Sequence, residues 1–317
     1  MNILLTGATG FLGRQLVKAL VDMVGVNVTA AVRRSTNCLP SRTFEAGGLG
    51  AETDWSQALL EQNVVVHAAA RAHIMRDEVA EPLAEYRTVN VAGSENLARQ
   101  AAAAGVKRFI YISSVKVLGE STSGETAFNE LTAADPEDAY GQSKYEAEEV
   151  LKKIASETGM ELVIIRPPLV YGPGVKANFL SLLKLCQLSL PLPFGLVNNR
   201  RSMVYLDNLV DFTIQCIDHP NAANQTFLVS DGQDLSLSNL IRIIRKAMNK
   251  PAWLLPVPVS LFKLVGKLTG KMALVDRLIG DFQVDSSKAQ QLLGWTPPYT
   301  VEQGIVETVK DFMNRKN

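Results

Sequence analysis

Apolar residues along this chain fall into short unbroken runs separated by stretches in which they recur at helical spacing. Ile3-Leu4-Leu5 is followed at once by Thr6-Gly7-Ala8-Thr9-Gly10-Phe11-Leu12-Gly13. Arg14 to Leu20 then spaces its apolar residues as a helix does. This order predicts a buried strand, a glycine loop and a helix N-terminus in one βα unit. Val28 to Val32, introduced by Gly25 and Asn27, predicts a second buried strand. Asn63 to Ala70 predicts another that ends in small residues, and Lys107 to Ile112 one that leads into Ser113-Ser114. Glu85 to Ala104 reads as a helix stopped by Gly105, and Asp138 to Glu146 opens a further one. The fold class this predicts is α/β: a Rossmann-like, doubly wound parallel sheet with a smaller C-terminal lobe. The sheet domain is expected over 1–166 plus about 201–232, and the lobe over 167–200 and 233–317.

Composition narrows the partners. The 317 residues are 47% apolar and 20% charged, enough for a large core, and Lys+Arg and Asp+Glu both number 32. Zero net charge gives no global field toward nucleic acid, so no nucleic-acid partner is expected. Cys38, Cys186 and Cys216 lack paired metal spacing, and no signal sequence precedes the glycine loop. A cytoplasmic protein with reduced thiols and no metal is expected. Trp253 to Phe262 is apolar but broken by Pro256 and Pro258, short of the roughly 20 residues a bilayer span needs. Lys263, Lys267 and Lys271 recur every four residues within 253–280. Membrane docking by that stretch is not expected; a lobe helix with a solvated lysine edge is.

The candidate chemistry lies where strands end. In the first loop Gly7 allows the tight turn, Gly10 lets backbone approach a pyrophosphate, and Gly13 lets the helix pack closely. The free N–H groups of the helix start, beside Phe11 and Leu12, suit phosphate. Arg33 and Arg34 follow Val32 where NAD enzymes commonly place an acid; a guanidinium fork suits a 2′-phosphate, so NADP(H) is favoured and NAD(H) remains possible. Ala68 and Ala69 are small enough for a loop lying against a cofactor. His67 and His73 read as core or loop histidines, and Asn90 as either a clamp on neighbouring backbone or an exposed side chain. Tyr140 and Lys144, four residues apart, share one helix face, where an ammonium would lower a phenol's pKa from about 10.

TGATGFLG, ISS before VKVLG, YGQSK at 140–144 and RPPLVYGPG at 166–174 occur in one order. With these motifs the chain resembles, end to end, the extended short-chain dehydrogenase/reductases, in their nucleotide-sugar epimerase/dehydratase branch. The resemblance implies a catalytic group of Ser114, Tyr140 and Lys144, with Ser113 a structural neighbour and Asn90 supporting the site. Pro167 of the RPP motif falls to the cofactor side. By the same resemblance Asn178 and Phe179 contact the substrate diphosphate and uracil. Arg201 holds the nucleotide phosphates, and Arg277 is a candidate second phosphate ligand.

The departures carry information too. Val115-Lys116 stands where the 4,6-dehydratases have an Asp-Glu pair, which argues against dehydration. By the resemblance, Gly48 stands where an adenine-contacting Asp often follows the third strand. The resemblance implies hydride transfer at C4 of a UDP-sugar, in the branch that makes O-antigen and capsule precursors, by a homodimer. Arg33 and Arg34 tilt the expectation to NADPH-dependent reduction of a UDP-4-keto-6-deoxy-hexosamine. A UDP-hexose 4-epimerase with tightly held NAD is the alternative, and an inactive NADP-binding sensor or scaffold a minor one.

Overall fold

A computed structural model of the protein describes residues 1–34, 36, 38–71, 81–124 and 126–315; His73 lies outside them. Nine strands and eleven α-helices make up the regular structure of the described residues. They are β1 (Asn2–Thr6), α1 (Phe11–Val21), β2 (Asn27–Val32), β3 (Arg42–Glu45), β4 (Val64–His67), α2 (Pro82–Tyr86), α3 (Gly93–Ala103), β5 (Arg108–Ile112), α4 (Ala139–Thr158), β6 (Glu161–Arg166), β7 (Leu169–Tyr171), α5 (Ala177–Gln187), β8 (Met203–Tyr205), α6 (Leu206–Asp218), β9 (Gln225–Leu228), α7 (Leu237–Ala247), α8 (Val259–Leu268), α9 (Met272–Ile279), α10 (Ser287–Leu293) and α11 (Val301–Asn314).

Seven strands form a parallel sheet in the order β3-β2-β1-β4-β5-β6-β9, and β7 pairs with β8 in a separate parallel ribbon. The period-2 alternation of a strand explains why the sheet needs helices on both sides. In β1, Ile3 and Leu5 join the core under α1 and α6, with Val66, Phe212 and Trp295. Leu4, between them, faces the opposite core with Val65, Phe109, Leu97 and Leu151 under α3 and α4. A third core fills the C-terminal lobe around Tyr171, Phe179, Ile241, Ile305 and Phe312.

The runs predicted at Ile3, Val28, Val64 and Arg108 are strands as expected, and the sheet has the predicted doubly wound form. Ala68–Ala70 leave the strand as a loop. The helix expected from Glu85 begins earlier, at Pro82, whose fixed φ suits a first helical position. It passes through a π-helical stretch at Arg87–Ala92 before α3. The 253–280 stretch is not one lobe helix with its apolar side inward. It is a pair, α8 and α9, turned at Gly270 (φ +67°); in α8 only Gly266 is buried, and in α9 no residue is.

Gly13 is the tightest joint of the first βα unit. A Cβ there would stand 2.1 Å from the Gly7 carbonyl oxygen. Gly13→Ala must push α1 off the loop, at a cost of roughly 1–3 kcal/mol as overpacking usually exacts. The expected outcome is a lowered Tm and loss of co-purifying nucleotide, read by thermal unfolding and by nucleotide release on denaturation; a variant that keeps both refutes this role.

Candidate active site

Because the seven strands run parallel, the C-terminal ends of β1, β4, β5 and β6 lie along one edge, the side on which open α/β sheets bind ligands. The glycine loop leaves β1 there. Gly7 adopts φ +72°, and a Cβ on it would meet the Ala68 carbonyl carbon and Ala69 nitrogen at 2.7 Å, so the loops after β1 and β4 touch through backbone alone. Gly10 is exposed, and a Cβ on it would meet only the Gly7 carbonyl oxygen, at 3.0 Å. That leaves a bare backbone face at the N-terminus of α1, which fits a dinucleotide's pyrophosphate. Phe11 and Leu12 are half-buried; Phe11 packs toward the C-terminal lobe and Leu12 onto the sheet core.

Behind this loop the polar groups are closed off. His67 is fully buried, with Nδ1 2.6 Å from Thr6 Oγ1 and Nε2 2.9 Å from Ser94 Oγ. Ser94 Oγ donates to the Asn90 carbonyl, so His67 Nε2 carries the ring proton and Nδ1 accepts from Thr6. Burial, with Lys144 adding to it, holds this imidazole down to about 3, and it remains the neutral core histidine its surroundings predicted. Asn90, buried on the π-helical turn, accepts from Arg71 N (2.7 Å) and donates to Arg71 O and to Ser143 Oγ. Of its two readings, the clamp is the observed one. It joins the loop after β4 to α4.

Ser114 caps a 3₁₀ turn at Val115–Val117, its Oγ accepting from Lys116 N at 3.2 Å. Val115 N donates to the Pro167 carbonyl, which sets the buried Pro167 beside that turn. Asp138 caps α4 by accepting from Gly141 N, and its other oxygen pairs with Lys116 Nζ. A side chain at Gly141 would meet the Lys116 carbonyl at 2.7 Å, which explains the glycine between Tyr140 and Gln142. Lys116 also bonds Glu120 (2.7 Å), and Glu120 binds the Arg277 guanidinium.

Lys144 is buried; its Nζ donates to the Ile112 carbonyl at 2.7 Å and lies 4.4 Å from the Tyr111 ring centre. Burial brings it down to about 7, against a raising influence from Glu148. Tyr140, half-buried beside Tyr86 (ring centres 6.0 Å apart), is held above its ordinary value by burial first, then by Asp138 and Tyr86. The expected lowering of Tyr140 by Lys144 is therefore corrected: burial opposes the phenolate, and Asp138 and Tyr86 oppose it further. Sequence reasoning also passed over Glu148 and Arg166. Glu148 accepts from Ser113 Oγ (2.5 Å) and from Arg166 Nε and Nη2 (3.0 and 2.5 Å), all buried. An acid one turn after Lys144 and the Arg of the RPP run were the available signals.

The residues expected at the substrate do not all meet. Arg201 Nη1 donates to the Arg277 carbonyl at 2.9 Å, so these two lie together at the edge of the C-terminal lobe. The Arg277 guanidinium itself is occupied by Glu120. Asn178 is exposed in the first turn of α5, but Phe179 is buried and stacked on Tyr171 at 5.4 Å. Its ring belongs to the lobe core, which leaves only its backbone to a ligand. Arg33 and Arg34 are exposed just beyond β2.

The Lys144 environment sets a pH dependence. Unfolded, this lysine titrates near 10.5; folded, near 7. Between those values the unfolded chain holds a proton that the native one lacks, so stability rises with pH through the window. Compared with Lys144→Met, the wild type is expected to show its largest stability deficit below pH 7 and to recover toward pH 10. Urea unfolding across that range checks it; a difference that does not change with pH refutes it.

The comparisons with known proteins agree with this geometry. The model of the NAD dependent epimerase/dehydratase family matches residues 3–230. A Vibrio cholerae protein described as UDP-glucose 4-epimerase is 51% identical over 100% of this chain and 97% of its own length. An Escherichia coli O157:H7 N-acetyl-alpha-D-glucosaminyl-diphospho-ditrans,octacis-undecaprenol 4-epimerase is 30% identical over 99% of this chain and 96% of its own. In fold, the UDP-glucuronic acid 4-epimerase of Bacillus cereus superposes with a TM-score of 0.80 at 21% identity, each chain covered in full. The chain belongs to the NAD-dependent epimerase/dehydratase family of extended short-chain dehydrogenase/reductases.

Proposed function

We propose that the chain is a UDP-hexose 4-epimerase that keeps one NAD through its catalytic cycle. The observation that carries this reading is the Vibrio cholerae relative, 51% identical along the whole chain. The expected reduction of a UDP-4-keto-6-deoxy-hexosamine rests on Arg33 and Arg34 and on motifs like those of the O-antigen and capsule branch, and neither relative named above is described as a reductase. The site's own residues support C4 chemistry. The backbone from Gly7 to Gly13 would hold the pyrophosphate, with Ala68, Ala69 and Pro167 along the cofactor and Asn90 bracing its loop. A nicotinamide held there would supply a hydride acceptor and donor for the sugar C4.

Ser114 Oγ hydrogen-bonds the C4 oxygen, and Tyr140 takes its proton and gives it back. Lys144 anchors the cofactor ribose. Asn178, Arg201 and Arg277, with the backbone of Phe179, orient the diphosphate through charge-assisted hydrogen bonds. Val115 and Lys116 offer no acid for the sugar C5 or C6, which fits epimerisation and not dehydration. A second reading is favoured by the Escherichia coli relative: the substrate's diphosphate carries a polyprenol in place of uridine.

Purified protein is expected to interconvert UDP-glucose and UDP-galactose without added cofactor and to release NAD on denaturation. Tyr140→Phe should keep the nucleotide and lose most turnover, by on the order of 10²–10⁴-fold. Near-normal turnover in that variant refutes the mechanism, and stoichiometric NADPH consumption with a 4-keto sugar restores the reductase. Activity on polyprenyl-diphosphate N-acetylglucosamine alone selects the second reading.

Arg33 and Arg34 give a separate check. If they face a 2′-phosphate, changing both to Ala should weaken NADP⁺ at least about tenfold, the weight of one charged hydrogen bond, with NAD⁺ untouched. For the NAD enzyme proposed here, neither affinity is expected to change that far; binding titrations with the two nucleotides read the difference.

A further inference from the structure

The helical pair α8–α9 shows an apolar face that the enzyme's own fold leaves uncovered. Leu261, Leu264, Val265 and Leu268 fall at i, i+3, i+4 and i+7, one stripe of α8, and are 48%, 53%, 50% and 78% exposed. Leu274 and Leu278 continue it on α9. The stripe is not a core face that has missed its partner, because the inner face of the pair is already packed. Phe262 stacks on Phe194 at 5.6 Å, and Gly266 lies against Val275 and Met272.

The surface extends onto the neighbouring loops. Buried Arg245 donates to the carbonyls of Leu188, Leu190, Pro251 and Trp253, and Leu192 pairs with Leu254. Those bonds hold Leu188, Leu190, Trp253 and Leu255 outward in fixed irregular backbone, each at least half exposed.

Charge says what covers this face. The segment from Lys250 through Arg277 carries five basic residues and one acid, Asp276, in a chain whose charges sum to zero overall. Lys263 and Lys267 border the α8 stripe, with Lys271 at the turn. All are exposed, and none is in an ion pair among the described residues. Lysines rimming leucines, with a tryptophan alongside, suit the headgroup level of an anionic bilayer. A second copy of the chain, meeting this face two-fold, would oppose lysines to lysines.

We propose that α8–α9 and the Leu188–Trp253 loops form a docking surface that seats the enzyme on an anionic membrane, apolar stripe in the interface and lysines among the headgroups. This goes beyond the epimerase reading and holds whichever glycosyl diphosphate is the substrate. It sets the enzyme where a lipid-linked sugar diphosphate would be made or consumed.

The test is sedimentation of the full chain with phosphatidylglycerol/phosphatidylcholine vesicles at low salt, without substrate. The wild type is expected to pellet with them and to be released as salt rises. Leu264→Glu/Leu268→Glu should weaken partitioning at least about tenfold. Lys263→Glu/Lys267→Glu/Lys271→Glu should weaken it about a hundredfold, the weight of three interfacial lysines. Both variants should keep their circular dichroism and their turnover of the soluble UDP-sugar, so the outcome stands apart from that of the epimerase assay. Failure of the wild type to pellet overturns the proposal, as does unchanged pelleting of the variants. A soluble dimer that Leu264→Glu/Leu268→Glu splits would assign the face to a second copy instead and also overturn it.

Discussion

Glu148 is fully buried, and its two oxygens are met by Ser113 Oγ just past β5 and by the Arg166 fork at the end of β6. One carboxylate thus ties α4 to two adjacent strand ends. Tyr140 and Lys144 lie on the preceding two turns of the same helix, so their placement over the sheet edge follows from it. The pair is not there for net stability, since burying two charges costs about what their attraction returns. Removing one partner would leave a bare charge inside, at roughly 3–5 kcal/mol, and that penalty makes the arrangement specific. The Asp138 cap, the Lys116 ammonium and the bare Gly141 then fix the helix N-terminus against the serine turn.

The same burial that fixes these groups sets their electrostatics. It disfavours both charged forms, bringing Lys144 down to about 7 and lifting Tyr140. A neutral phenol is what reduction needs and a phenolate what oxidation needs. The protein's own groups hold Tyr140 as the neutral phenol, the form that the proposed return of the proton to the C4 oxygen would use. Lys144 is poised near neutrality, and its proton is shared with the Ile112 carbonyl instead of being spent on the phenol. His67, neutral on the far side, adds no competing charge.

What the sequence makes legible here is local. Gly7, Gly10 and Gly13 declare themselves because backbone geometry acts over a few residues, and the Tyr140–Lys144 spacing because a helix repeats every 3.6. β3 is invisible since Arg42-Thr-Phe-Glu is a short edge strand without an apolar run. The π-helical turn that buries Asn90 has no periodic signature over six residues. Glu148 and Arg166 are charged residues in the interior, which composition rules place outside unless a partner distant in sequence is known. Phe179 looked like a ligand from its motif, yet an aromatic ring beside Tyr171 gains more from the core. The 253–280 stretch misled in the opposite way: its apolar periodicity is genuine, but periodicity cannot say whether the stripe faces protein or solvent.

The link between that surface and the chemistry is a line of charges. Arg277 of α9 holds Glu120, Glu120 holds Lys116, and Lys116 holds the Asp138 that caps the Tyr140 helix. Arg277 is half exposed, and an ion pair in that setting is worth about 0–1 kcal/mol. Charge-assisted hydrogen bonds to a diphosphate run to about 1.5–3 kcal/mol, so a substrate can outbid Glu120 for this guanidinium. Arg201 places one nitrogen, Nη1, on the Arg277 and Gly280 carbonyls, which holds α9 against the lobe whichever anion Arg277 meets. The weak contact at the surface is thus the exchangeable one, and the buried carboxylate halfway along α4 is what keeps Tyr140 and Lys144 in place.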